Sequence, residues 1–119
     1  MAHQHLYKVG VKWTGNLGTG TSNYKAYSRN HMIQVEGKVP VESSSDPLFR
    51  GDPNRYNPEE MLVASLSSCH MLWYLHFCAD AGIIVTSYQD DAEGMMTVEP
   101  SGAGQFTEVI LKPRISLAN

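Results

Sequence analysis

Two of the 119 residues carry thiols, Cys69 and Cys78, and the other reactive groups stand near them: Glu59 and Glu60 upstream, His70 and His76 alongside, Arg50 and Arg55 in the preceding stretch. A thiol reacts as its thiolate, and a free cysteine titrates near pH 8.5, so only a few per cent is nucleophilic at pH 7. Two cysteines in a reducing compartment are buried hydrophobes, metal ligands or redox-active thiols. Spacing gives no support to metal binding. The chain has no Cys-x2-Cys and no His-Glu-x-x-His, and His3 and His5 read as a solvated terminus. Neither a metal nor a cofactor is expected. Serine hydrolase chemistry is set aside because Ala64-Ser65-Leu66-Ser67-Ser68 lacks the Gly-x-Ser-x-Gly elbow.

Composition narrows the classes further. Nine Lys+Arg against twelve Asp+Glu, 18% charged residues and a formal net charge of -3 fit neither a basic nucleic-acid binder nor a disordered acidic tail. With 42% hydrophobic residues the chain has material for one core, and a single domain over residues 1–119 is expected. There is no run of eighteen apolar residues, and Met1-Ala2-His3-Gln4-His5 has no cationic stretch leading into an apolar one. The expectation is a soluble cytoplasmic protein with no membrane or nucleic-acid partner.

The elements that must position these residues begin with strands. Leu6 to Trp13 alternates with period two, Tyr24 to Ser28 reads as a second strand and His31 to Val35 as a third. The glycine-rich stretch Gly15 to Thr21 has no helix signal after it, so it reads as a turn and not as a phosphate cradle. Ser43 to Pro47 and Gly51 to Asn54 form a long polar connection.

A helix follows. Asn57 suits the N-cap, Pro58 the first helical position and Glu60 a capping box, while Glu59 and Glu60 oppose the positive end of the helix dipole. It runs to Ala81 with Gly82 as C-cap, about 24 residues or ~36 Å. From Met61 to Phe77 it is apolar nearly all round, so it must be covered on several sides, with Met61, Met71, Leu72, Trp73 and Phe77 expected in a core. One sheet of so small a domain covers one side only. Strands are predicted at Ile83 to Tyr88, Met95 to Glu99 and Phe106 to Leu111, giving three strands, a long helix and three strands.

The segment Asn57-Pro58-Glu59-Glu60-Met61-Leu62-Val63-Ala64-Ser65-Leu66-Ser67-Ser68-Cys69-His70 resembles the signature of the OsmC/Ohr family of thiol hydroperoxide reductases, with a cysteine ten positions after the Glu of an Asn-Pro-Glu helix start. Trp13-Thr14-Gly15, Ala81-Gly82-Ile83 to Val85 and Phe106-Thr107-Glu108-Val109 are also similar to that family. The resemblance implies an α+β fold of antiparallel sheets around a long central helix, assembled as an intertwined homodimer. It implies reduction of organic hydroperoxides or hydrogen peroxide, with Cys69 as the nucleophile that becomes a sulfenic acid. Glu59 matches the family's glutamate, and Arg50 is the nearest match to its arginine, one residue closer to the Glu than in the pattern; Arg29 and Arg55 are the alternatives. Family members carry a second, resolving cysteine on a later helix, and this sequence ends at Asn119 before that region. Three readings follow: an external thiol reduces the sulfenic acid, the sequence is truncated, or turnover is lost.

Helix geometry constrains these roles. Cys69 lies mid-helix, away from the dipole's favourable end, so its activation needs an outside cation. Glu59 alone would raise the thiol's pKa by like-charge repulsion; its sensible task is to hold an arginine's fork. Ten residues put Glu59 and Cys69 ~15 Å apart along the axis and about 1000° round, too far to meet on one straight helix. Either the helix breaks, or the Glu comes from a partner subunit, and the all-round apolar surface favours the partner. Cys78 lies ~13.5 Å from Cys69 and about 180° round, beyond the roughly 7 Å limit between Cα atoms of a disulfide, so it is expected in the core. His70 points about 100° from Cys69 and is expected to be a hydrogen-bonded core or interface residue, and His76 at ~10.5 Å is too far for a direct base. The alternative on the same fold is a dimer that holds an apolar small molecule between its helices without redox chemistry.

Overall fold

Period-two alternation in the N-terminal third yields strands where nonlocal partners exist and turns where they do not. The computed structural model describes residues 2–118 and divides into two units, Met1–Pro58 and Glu59–Asn119. In the first, β1 (Gly10–Trp13), β2 (His31–Gln34) and β3 (Val41–Ser43) form an antiparallel sheet in the order β1-β2-β3. Val11 faces Ile33 and Ile33 faces Val41. Leu6 to Val9, expected in the first strand, precede it.

Tyr24 to Ser28 is a turn, against the sequence expectation. Asn23 folds the backbone on itself: its Oδ1 accepts from the Lys25 N–H at 2.9 Å and its carbonyl from the Ala26 N–H at 3.1 Å. The Arg29 guanidinium donates to the Tyr24 and Tyr27 carbonyls, 2.7 Å each, and lies 4.4 and 3.8 Å from their ring centroids. Local bonds of this kind compete with a strand ladder and here prevail. The turn is tied back to the end of β1. Trp13 Nε1 donates to the Ser28 carbonyl at 2.8 Å and the Ser28 N–H donates to the Gly15 carbonyl at 2.9 Å, an approach so close that a Cβ on Gly15 would overlap the Ser28 carbonyl oxygen. Asn16 Oδ1 collects the N–H groups of Gly18 and Gly20, the turn expected there.

The polar connection is more ordered than its composition suggests. It opens with β3 and contains a 3-10 helix, Pro47–Phe49, started by Asp46, whose side chain accepts from the Leu48 N–H at 2.8 Å. Ser43 also bridges Tyr56 in parallel.

In the second unit α1 spans Pro58–Asp80, and β4 (Val85–Asp90), β5 (Glu93–Val98), β6 (Gly104–Ile110) and β7 (Pro113–Leu117) follow. Its end matches the expected cap: Gly82 has φ 74°, the Ile83 N–H reaches the Cys78 carbonyl at 2.8 Å and the Gly82 N–H the Ala79 carbonyl at 3.3 Å. β5 and β6, close to the strands predicted there, pair as an antiparallel hairpin with a bulge at Met95/Met96. β7, which the sequence reading left without structure, pairs antiparallel with β4, Tyr88 opposite Ile115. The post-helical strands therefore number four.

Within its unit α1 turns one face to the strands. Ser67 reaches Asp90, His70 reaches Tyr88, and the Tyr74 and Tyr88 rings lie 5.9 Å apart. Cys78, 6% exposed, continues that row. Leu72, Trp73 and Phe77 are not core residues of this chain by itself: they are 61%, 56% and 61% exposed. By length and mean hydropathy α1 is also apolar enough to cross a membrane, a property the strict count of consecutive apolar residues misses because isolated serines and histidines interrupt the run.

Candidate functional site

Cys69 projects from the side of α1 opposite the strands. At about 100° per residue it lies ~160° round the axis from Ser67 and shares a stripe with Leu62, Leu66, Trp73 and His76. The thiol is free and exposed. Beyond it, Trp73 stacks on Phe77 at 5.5 Å between centroids and meets His76 edge-on at 5.7 Å, and His76 Nε2 lies 3.4 Å from Asp80 Oδ2. The reactive-residue candidate therefore stands midway along an uncovered apolar stripe. Cys78 is also free but buried, and its thiol one turn away, together with partial burial, pushes the Tyr74 phenol up from 10.0.

Glu59 lies at the start of the same helix, in its first turn, and α1 is continuous from Pro58 to Asp80. The helix does not break between Glu59 and Cys69, which removes one of the two ways they might have met. Arg50 belongs to the first unit. It closes the 3-10 helix in a left-handed conformation, φ 64°, the single described non-glycine residue with positive φ. Its exposed side chain has no hydrogen-bond or ion-pair partner among the described residues.

The alternatives are differently engaged. Arg29 is spent on the Tyr24–Tyr27 turn, while Arg55 Nε lies 3.7 Å from Asp52 Oδ2 and its buried Nη1 has no partner. Cations are unevenly shared. Met1–Pro58 holds seven Lys and Arg against four Asp and Glu, and Glu59–Asn119 holds two against eight, together the net -3. Those two, Lys112 and Arg114, are paired with Glu93 and Asp91.

A polar group missed by sequence reasoning lies on the strand-facing side of α1. Ser67 Oγ donates to Asp90 Oδ2 at 2.6 Å, the Lys112 N–H donates to Asp90 Oδ1 at 2.6 Å, and His70 Nδ1 is 3.2 Å from the Tyr88 hydroxyl. His70 is thus hydrogen-bonded as expected, although exposed rather than in a core. Serine and aspartate 23 residues apart leave no spacing to read.

The Ser67 bond, helped by the Lys112 N–H and the His70 charge and opposed by partial burial, holds the Asp90 carboxyl below its ordinary 3.8. Burial and the Asp90 charge push the Tyr88 phenol up from 10.0. Because the folded pKa of Asp90 is the lower one, its contribution to stability is fully present above the unfolded pKa near 3.8 and disappears as pH falls through the folded value. Urea midpoints measured between pH 5 and 2 should fall less steeply in Asp90→Asn than in the wild type; parallel curves would remove Asp90 from this account.

Comparison with known proteins follows the same lines. Residues 51–119 match the OsmC-like protein family. Over 98% of this chain and 77% of the other, the fold superposes with a TM-score of 0.83 and 30% sequence identity on the structure of an OsmC-like protein of unknown function from Vibrio cholerae O1 biovar eltor. No curated protein matches significantly. The chain belongs to the OsmC-like family, with that family's fold of one long helix and antiparallel sheets.

Proposed function

We propose that the protein is a thiol-dependent hydroperoxide reductase with Cys69 as its nucleophile, working as a homodimer. The observation that carries this reading is the position of Cys69: exposed at the centre of an uncovered apolar stripe, within the Asn57 to His70 motif. The Cys69 thiolate attacks the terminal oxygen of a hydroperoxide; the O–O bond breaks, the sulfur becomes a sulfenic acid and the departing alkoxide takes a proton to leave as the alcohol. An external thiol then condenses with the sulfenic acid, releasing water, and a second thiol reduces the mixed disulfide and restores Cys69.

A second copy of the chain is the natural cover for the stripe. Leu62, Leu66, Trp73 and Phe77 make a row that suits a two-fold interface, in which each stripe faces its equivalent. Lipid suits it less well, because His76 and Asp80 on the same side form a polar pair. Covering Cys69 with apolar groups alone would raise its pKa, so a cation has to accompany the partner. With Lys112 and Arg114 already paired, that cation comes from residues 1–58 of one copy or the other. Arg50 is our candidate for the guanidinium that holds the thiolate, and Glu59 for the carboxylate that orients its fork.

The test is the reaction itself. Cumene hydroperoxide should be consumed with a dithiol reductant, a sulfenic-acid trap should label Cys69 in the intact protein, and Arg50→Ala should slow that labelling. No turnover together with an unlabelled Cys69 would overturn the proposal. A second reading, a non-catalytic dimer holding an apolar small molecule between its helices, draws on the same stripe and predicts a Cys69 thiol that resists peroxide.

A further inference from the structure

An open cleft of about 640 Å³ lies on the strand-facing side of α1, lined by residues of the second unit, on the far side of the helix from Cys69. That volume falls within the range of small-molecule sites. Its walls have two characters. Val63, Met71 and Phe106 give an apolar body, while the polar lining includes the carboxylates of Glu59, Glu60 and Asp90. Among the described residues no Lys or Arg lines it. Asp91 on the rim already has its counter-ion in Arg114, whereas the bonds made by Asp90 come from the neutral Ser67 hydroxyl and the neutral Lys112 N–H, and the one cationic group acting on it is His70, which is charged only when protonated.

We propose that this cleft is a second ligand site, distinct from the Cys69 stripe, that takes a small amphiphilic cation, with its apolar body between Val63, Met71 and Phe106 and its ammonium group against the Asp90 carboxylate. An anionic ligand of the same shape would meet carboxylates and no cation, and a neutral one would leave the fixed charge without a partner. Selectivity is therefore set by the sign of the head group. The site shares Glu59 with the peroxidase reading but needs no turnover at Cys69, so binding and turnover are tested separately.

Calorimetric titration of the full chain with octylammonium, octan-1-ol and octanoate at neutral pH separates the terms, because the three probes share one tail. Octylammonium is expected to bind at least about tenfold more tightly than either of the others, more weakly as salt is added, and with shifts of the Met71 methyl and Phe106 ring resonances. Asp90→Asn, which keeps a hydrogen-bonding side chain of the same shape, should abolish that preference. Ala64→Phe, which adds bulk to the lining and removes no bond, should weaken all binding by about tenfold or more. Equal affinity for octanoate or octanol, or an unchanged octylammonium affinity in Ala64→Phe, would overturn the proposal, and the second variant keeps the test open should Asp90→Asn fail to fold.

Discussion

Cys69→Ser should lose thiol-dependent consumption of cumene hydroperoxide by about a thousandfold or more while remaining folded. The size of the loss follows from the chemistry. A serine hydroxyl is scarcely ionised at neutral pH and is a far poorer nucleophile toward peroxide oxygen, and no sulfenic acid can form on it. Retention of the fold follows from the structure, since Cys69 is exposed and has no hydrogen-bond partner among the described residues. Cys78→Ser is the discriminating control. Cys78 is buried on the strand-facing side, so introducing a hydroxyl there should lower stability and spare turnover. The opposite pattern, with activity kept in Cys69→Ser and lost in Cys78→Ser, would move the chemistry to the other face of the helix. It would remove the argument from the exposed stripe.

Trp73→Asp should shift the protein from twice the chain mass to a single chain in sedimentation equilibrium, with a cost of about 2–4 kcal/mol or more in association. Trp73 is the largest side chain of the stripe and half exposed, and its stacking with Phe77 holds both rings in a preformed patch. An aspartate there would have to be desolvated opposite its own copy, with two like charges facing each other near the two-fold axis. Thr97→Asp, an exposed substitution on β5, should leave the mass unchanged. A wild-type protein that sediments as one chain at high concentration would end the dimer proposal, and with it the assumed source of the cation for Cys69.

The sequence alone carried the helix and the family. Pro58, the acidic first turn and Gly82 set the ends of α1 to within a residue, because caps are local: each depends on groups within one turn of the terminus. The motif around Cys69 was likewise legible, being contiguous. Strand positions were read less well where pairing decides them. Tyr24 to Ser28 has the composition of a strand and forms none, because Asn23 and Arg29 bind the backbone first, whereas Pro113 to Leu117 becomes a strand only because β4 is there to pair with it.

The tertiary structure decided which way the helix faces. A segment apolar on nearly every side has no preferred face in its sequence, so periodicity cannot say whether Cys69 or Ser67 looks toward the strands. Asp90 and Tyr88, 20 or so residues further along the chain, settle it by bonding Ser67 and His70, and Cys69 is left on the open side as a consequence. The same nonlocal contacts fix the Asp90 carboxylate at the edge of the cleft. Their physical basis is pairing between groups far apart in sequence, which no local spacing encodes.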